Sequence, residues 1–235
     1  MKITFLGGAQ TVTGSKILLE HAKIRILIDC GLFQGLKEWR LRNWSPLPIS
    51  PEQIDAVLLT HAHIDHSGYI PILVKSGFKG KIFCTQATFD LCKILLPDSG
   101  HLQEEDARLA NLYHFSKHTP ALPLYTEEDA EYCLKQFEVI NFDMPYPLFK
   151  DLRCTWRRAG HILGASFIEI QNPHQTIVFS GDLGRPRDPI MQAPVHPKNC
   201  RTLIIESTYG NRKHSEEDTL EIIAHCIRET ASRGG

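Results

Sequence analysis

Within the stretch Leu59-Thr-His-Ala-His-Ile-Asp-His-Ser-Gly68, His61, His63, Asp65 and His66 place four metal-capable side chains in six consecutive positions. Neutral imidazole and carboxylate form the donor set that suits zinc when no thiolate is on offer. Any one of these histidines alone reads as a surface or satisfied core residue. The cluster does not, because an apolar run precedes it and Gly68 follows. Residues at i,i+2 and i+4,i+5 cannot share one face of a regular helix or strand. They need a tight turn at a strand end, where side chains converge on two adjacent points.

Two further polar positions have a similar setting. His161 lies between glycines in Ala159-Gly160-His161-Ile162-Leu163-Gly164, just ahead of an apolar run, and Asp182 follows another such run in Ser180-Gly181-Asp182-Leu183-Gly184. Gly-Asp-x-Gly alone is commonly just a turn. With the first cluster, the two complete an inventory for a pair of zinc ions. Asp29 ends a strand beside Cys30-Gly31, and is expected to orient a loop by accepting hydrogen bonds rather than to act as a ligand.

The elements that must position these groups follow from periodicity. Strands are expected at Lys2 to Leu6, Ser15 to Glu20, Lys23 to Asp29, Ala56 to Leu59 and Lys81 to Thr85. Helices are expected at Lys37 to Trp44, Tyr69 to Lys75, Ala87 to Leu96 and Leu102 to Lys117, with a further one opened by Thr126. Glu127, Glu128 and Asp129 in its first turn suit the helix dipole. Strands return at Phe137 to Phe142, Leu152 to Arg158, Ser166 to Gln171, Thr176 to Ser180 and Thr202 to Glu206, before a closing helix from Glu216 to Arg233. Strands in a block, then helices, then strands again imply two packed sheets with helices outside. His101, His114 and His118 lack a partner pattern and read as surface residues, or as lining a substrate channel.

Composition is that of a globular chain: 235 residues, 42% hydrophobic and 23% charged. No apolar run reaches a membrane span and the N-terminus lacks a signal-peptide layout, so a cytoplasmic protein without membrane contact is expected. Seven dispersed cysteines without a Cys-x-x-Cys pair argue against a disulfide framework or a cysteine zinc site. A net charge of −1 shows no global basic field.

His61-Ala-His63-Ile-Asp65-His66, then His161, then Asp182, preceded by Asp29, resembles the motif series of metallo-β-lactamase-fold hydrolases along the whole chain. Asp29-Cys30-Gly31-Leu32-Phe33-Gln34-Gly35 and Glu206-Ser207-Thr208-Tyr209-Gly210-Asn211-Arg212 are similar to the β-CASP branch, most closely to its RNA-cleaving members. The resemblance implies an α/β fold, an αββα sandwich of two mixed sheets that is incomplete at the C-terminus. Residues 1–205 would form the metallo-β-lactamase-like part, and 206–235 the start of a β-CASP domain. His61, His63 and His161 would hold one zinc, Asp65 and His66 the second, with Asp182 bridging. Asp65 and Glu206 would be the catalytic residues, Asp65 orienting the nucleophile and Glu206 supporting a catalytic histidine.

The family expects an insert after the Glu206 region, then two histidine motifs and a final histidine ligand. His214 and His225 follow Glu206 too soon to be these. The chain therefore reads as the N-terminal part of a longer protein, and whether this part holds the second zinc or is active alone stays open. The implied activity is zinc-dependent RNA phosphodiester hydrolysis, endonucleolytic or 5′-to-3′ exonucleolytic, with two zinc ions roughly 3.5–4 Å apart activating a shared water. RNA is the implied partner, together with a second copy of the chain or an RNA-processing complex. Two alternatives remain: a small-molecule hydrolase with the same metal kit, and a scaffold subunit without catalysis.

Overall fold

The computed structural model describes residues 1–213 and 219–234. Its first sheet has six strands in the order β1 to β6: β1 (Lys2–Gly7), β2 (Lys16–His21), β3 (Ile24–Ile28), β4 (Ala56–Leu58), β5 (Lys81–Cys84) and β6 (Phe137–Val139). β1, β2 and β3 pair antiparallel, and β3 to β6 run parallel. The second sheet has five strands: β7 (Tyr146–Phe149), β8 (Leu152–Arg158), β9 (Ser166–Asn172), β10 (Gln175–Phe179) and β11 (Thr202–Ile204), with β7 and β11 at its edges. β10 and β11 pair parallel, the rest antiparallel. Both sheets are mixed, as expected.

Alternation along the central strands separates two cores. Leu27, Val57 and Ile82 point to the helical side, where they meet Ile70, Leu73 and Leu96. Their neighbours Ile26, Ile28, Leu58 and Phe83 point to the second sheet and pack on Trp156, Ile168, Ile170 and Phe179. Because β4 is buried on both faces, it reads as an unbroken apolar run rather than an alternating one.

The helices are α1 (Lys37–Leu41), α2 (Ile64–Ser67), α3 (Ile70–Lys75), α4 (Gln86–Leu112), α5 (Glu127–Cys133) and α6 (Thr219–Ser232). None among the described residues is long and apolar enough to cross a membrane. α5 starts at the expected cap: Thr126 Oγ1 accepts from Asp129 N at 3.1 Å, and Asp129 Oδ2 accepts from Thr126 N at 3.0 Å. α6 buries no residue. The expected start of this helix at Glu216, like His214, lies outside the described residues.

Two expectations are corrected. The two helical segments around Pro97 are one helix of 27 residues, which stops at Leu112 rather than Lys117. Proline removes a helical hydrogen bond and clashes one turn back. Packing on both sides offsets this: Leu96 is buried in the core, and Gly100 approaches the backbone of Thr126 and Glu127 so closely that a Cβ would meet it at 2.7 Å. β7 was not expected, since Pro147 interrupts its pattern. It lies at the sheet edge, where a missing N–H is tolerated.

Lys16, on β2, is 1% exposed, and its ammonium has no hydrogen-bond partner among the described residues. It is held instead between aromatic faces, with Nζ 4.5 Å from the Phe33 ring centre and 4.7 Å from that of Tyr69. Burial pushes its pKa down to about 8, with Cys30 opposing. A depressed lysine pKa penalises folding fully below that value, and the penalty fades as pH rises towards the unfolded value. Lys16→Met is therefore expected to raise stability at pH 7 by about 2–3 kcal/mol, with the gain shrinking by pH 10. Urea denaturation of both proteins at the two pH values checks this. A destabilised variant at pH 7 would contradict it.

Candidate metal centre

The rim of the sandwich at the C-terminal ends of β3, β4, β8 and β10 gathers the polar residues, the position at which open α/β sheets bind ligands. Three hydrogen bonds hold the two sheets in register there. Trp156 Nε1 donates to Leu59 O at 3.2 Å, and Ser166 donates to Thr60 O through both N and Oγ at 2.9 Å.

Beyond β4 the chain bends at Thr60, runs irregularly to His63 and then makes the single turn α2. The Ser67 hydroxyl donates into this turn, to Ala62 O at 2.8 Å and His63 O at 3.0 Å. That turn presents Asp65 and His66 beside His61 and His63. Gly31 allows it: a Cβ there would lie 1.6 Å from Asp65 O. The same carbonyl accepts from Ser15 N at 2.8 Å.

His61, His63, His161 and Asp182 form one group whose ligand atoms all lie within 4.8 Å of one another. His63 Nδ1 is 3.1 Å from His61 Nε2 and 3.2 Å from His161 Nε2. Asp182 Oδ2 is 3.4 Å from His161 Nε2 and 3.7 Å from His61 Nε2. Four atoms placed tetrahedrally about a zinc ion at 2.0–2.1 Å would lie roughly 3.3 Å apart. The group fits such an ion in donor type and in spacing.

Asp182 also faces the other way: its Oδ1 is 3.2 Å from His66 Nε2, which in turn lies 3.8 Å from Asp65 Oδ2. Its two oxygens thus address two sets of donors. Asp65 and His66 stand outside the group of four; His66 meets it through this carboxylate and through its ring, whose centre is 4.1 Å from that of His61.

Behind the rim, Asp29 is 2% exposed and accepts three hydrogen bonds. Oδ1 takes Thr60 N at 2.8 Å, while Oδ2 takes the Thr60 hydroxyl at 2.9 Å and His66 Nδ1 at 2.8 Å. The Thr60 oxygen in turn accepts from His61 Nδ1 at 3.0 Å. Both imidazoles therefore donate inward through Nδ1 and turn Nε2 to the rim, the second-sphere arrangement typical of histidine ligands. The supporting role expected for Asp29 is what its contacts describe. The Thr60 relay was not foreseen. Its signal was a hydroxyl residue between a buried strand and the first histidine.

Electrostatics at His61, His63 and Asp182 favour the deprotonated forms that a ligand role needs. Burial pushes His61 well down, with His66, His63 and His161 adding to it, and burial with His161 lowers His63. Burial raises the Asp65 carboxyl. Burial opposes charge on His66, yet Asp29 and Asp182 outweigh it and lift the imidazole to about 10. The same contact overcomes burial at Asp182 and holds that carboxyl below its usual range.

Glu206 makes no hydrogen bond or ion pair to a histidine among the described residues. Its Oε1 accepts from Leu183 N at 2.7 Å, next to Asp182, and its own N–H donates to Ser180 Oγ at 3.0 Å. The carboxylate braces the loop that carries Asp182. Glu206→Ala is expected to weaken metal affinity about tenfold, whereas Glu206→Gln keeps the acceptor and stays within about threefold. Metal titration of both variants checks this. Equal losses would point to a role for the charge itself. His101, His114 and His118 are exposed and lie outside the group of four.

A family model described as a metallo-beta-lactamase superfamily domain matches residues 18–205. Along its whole length the chain is 34% identical to Ribonuclease TTHA0252 of Thermus thermophilus, covering 50% of that protein. It is 32% identical to Cleavage and polyadenylation specificity factor 73 of Drosophila melanogaster, covering 100% of this chain and 33% of that one. Transcription termination factor FttA of Methanocaldococcus jannaschii is 30% identical, with 100% of this chain and 36% of that one covered. The chain thus spans a third to a half of these relatives' length. Among solved structures, a protein of unknown function from Enterococcus faecalis shares the fold with a TM-score of 0.56 at 18% identity, over 98% of this chain and 57% of that one. These matches bear out the resemblance drawn from the motif series.

Proposed function

The chain belongs to the metallo-beta-lactamase superfamily, and we propose that it is the metal-bearing part of a zinc-dependent RNA phosphodiester hydrolase. The observation that carries the reading is the group of four, His61, His63, His161 and Asp182, with donors at zinc-like spacing. The relatives' names, a ribonuclease and a cleavage factor among them, support RNA as the substrate.

In this reading His61, His63, His161 and Asp182 hold one zinc, and Asp65, His66 and Asp182 contribute to a second. All donors are nitrogen or oxygen, and none of the seven cysteines joins the group. When bound, the metal pair supplies Lewis acidity towards the phosphate and a water activated near neutral pH. Asp182 keeps the two positions in register through its separate oxygens. The Asp29–Thr60–His61 and Asp29–His66 hydrogen bonds fix both imidazoles in the ligating tautomer. Asp65 would contribute to holding the second ion and orient the attacking water as its hydrogen-bond acceptor, a role worth about 10²–10⁴ in rate. Residues 1–205 are the metal-bearing domain in this proposal, and 206–235 begin a second.

Cleavage of end-labelled RNA by the full-length protein, set against a panel of small thioesters and lactams, tests the reading. Metal-dependent RNA cleavage is expected. Thioester turnover with intact RNA would overturn it in favour of a small-molecule hydrolase.

A further inference from the structure

The loop between β10 and β11 lies against the His161 turn. Gly184 N donates to Ala159 O at 2.8 Å and Val195 N to Arg158 O at 3.0 Å, while Arg158 Nε donates back to Ala193 O at 3.1 Å. At Gly184 the approach is so close that a Cβ would sit 1.8 Å from Gly160 O and 2.8 Å from His161 N. The next residues are Arg185, Pro186 and Arg187, all exposed. Two guanidinium groups therefore start one and three residues beyond the point where the loop touches the metal rim.

Neither arginine forms a salt bridge among the described residues. The nearby carboxylate of Asp188 is turned into the loop, where Oδ1 accepts from Ile190 N at 2.8 Å and Met191 N at 2.7 Å. Two exposed guanidinium groups thus follow the rim contact by one and three residues, Arg185 sensing the charge of Asp188 without an ion pair to it, in a chain whose net charge is only −1. Guanidinium binds phosphate through paired N–H donors and stays charged at any working pH. A small neutral ester has no use for such a pair. A strand with a phosphate at every residue does.

We infer that Arg185 and Arg187 clamp the phosphates of a single-stranded RNA next to the bond held at the metal rim. This assignment rests on the nuclease reading above and gives it a substrate-selecting element. Pro186 fixes one backbone angle between the two forks, which limits how far they can spread. Each fork that neutralises a phosphate on a single strand adds about 0.7 to the slope of log affinity against log salt.

The test uses full-length protein, a labelled single-stranded RNA and a series of potassium chloride concentrations, with log kcat/KM plotted against log salt. Arg185→Ala with Arg187→Ala is expected to raise KM at least tenfold near 0.1 M salt and to flatten the slope by about 1.4. Arg185→Lys with Arg187→Lys is expected to restore the slope, because it keeps the charge. Melting temperature and zinc content of each variant report on folding. A wild-type slope in the alanine pair, with RNA still cleaved, would overturn the clamp and leave the nuclease reading standing. Full-length protein that cleaves no RNA would overturn both.

Discussion

Asp182→Ala is expected to empty the second metal position, to weaken the first, and to lower kcat/KM on RNA at least 10³-fold, about 4 kcal/mol of transition-state stabilisation. The size follows from the placement of its two oxygens. Oδ2 faces His161 and His61 at 3.4 and 3.7 Å, and Oδ1 faces His66 at 3.2 Å. No other carboxylate among the described residues joins the group of four. Three histidines alone can retain one ion weakly, but the second position loses a donor it cannot spare. The side chain is 27% exposed on a loop, so its removal leaves the core intact. Asp182→Asn separates shape from charge and is expected to lose nearly as much. Zinc content of each purified variant, read with its RNA cleavage, decides the matter. Wild-type zinc in Asp182→Ala would contradict the bridging role.

Asp29→Ala is expected to cost about 4 kcal/mol of stability, or roughly 10 °C in melting temperature, even without metal. Three buried donors lose their acceptor at once: Thr60 N, the Thr60 hydroxyl and His66 Nδ1. The backbone adds to the loss, since Asp29 has φ 56°, a left-handed conformation that aspartate tolerates better than alanine. Asp29→Asn keeps the short polar side chain and an acceptor for Thr60 N, and is expected to lose about half as much. Thermal denaturation of the zinc-free proteins measures both. A loss below about 1 kcal/mol in the alanine variant would mean that Asp29 is replaceable and that His66 is positioned by something else.

Much of the site was legible because its chemistry is local in sequence. His61 to His66 occupy one strand end and one turn, so spacing alone placed them at a convergence point. His161 and Asp182 were legible from glycine-flanked polar residues at strand ends, which bring both to the same rim. The contacts behind the rim were less legible. The Thr60 relay depends on Asp29, 31 residues earlier in the chain, a pairing that only the parallel register of β3 and β4 creates. The contact of the Glu206 carboxylate with Leu183 N was not legible either, because no side-chain pattern encodes the position of a backbone N–H. The same limit applied to the fold. Pro97 and Pro147 broke the local patterns, and only packing on α5 and a place at the sheet edge explain why helix and strand persist there. Lys16 gave no signal either, since a lysine in an alternating strand reads as solvent-facing.

The claim that His61, His63, His161 and Asp182 form a zinc centre is tested most directly by X-ray absorption at the zinc edge on the zinc-loaded protein. The expected spectrum shows nitrogen and oxygen neighbours at about 2.0–2.1 Å, the outer-shell scattering of several imidazole rings, and no sulfur. A sulfur shell near 2.3 Å would place the metal on cysteine, away from this rim, and would contradict the assignment.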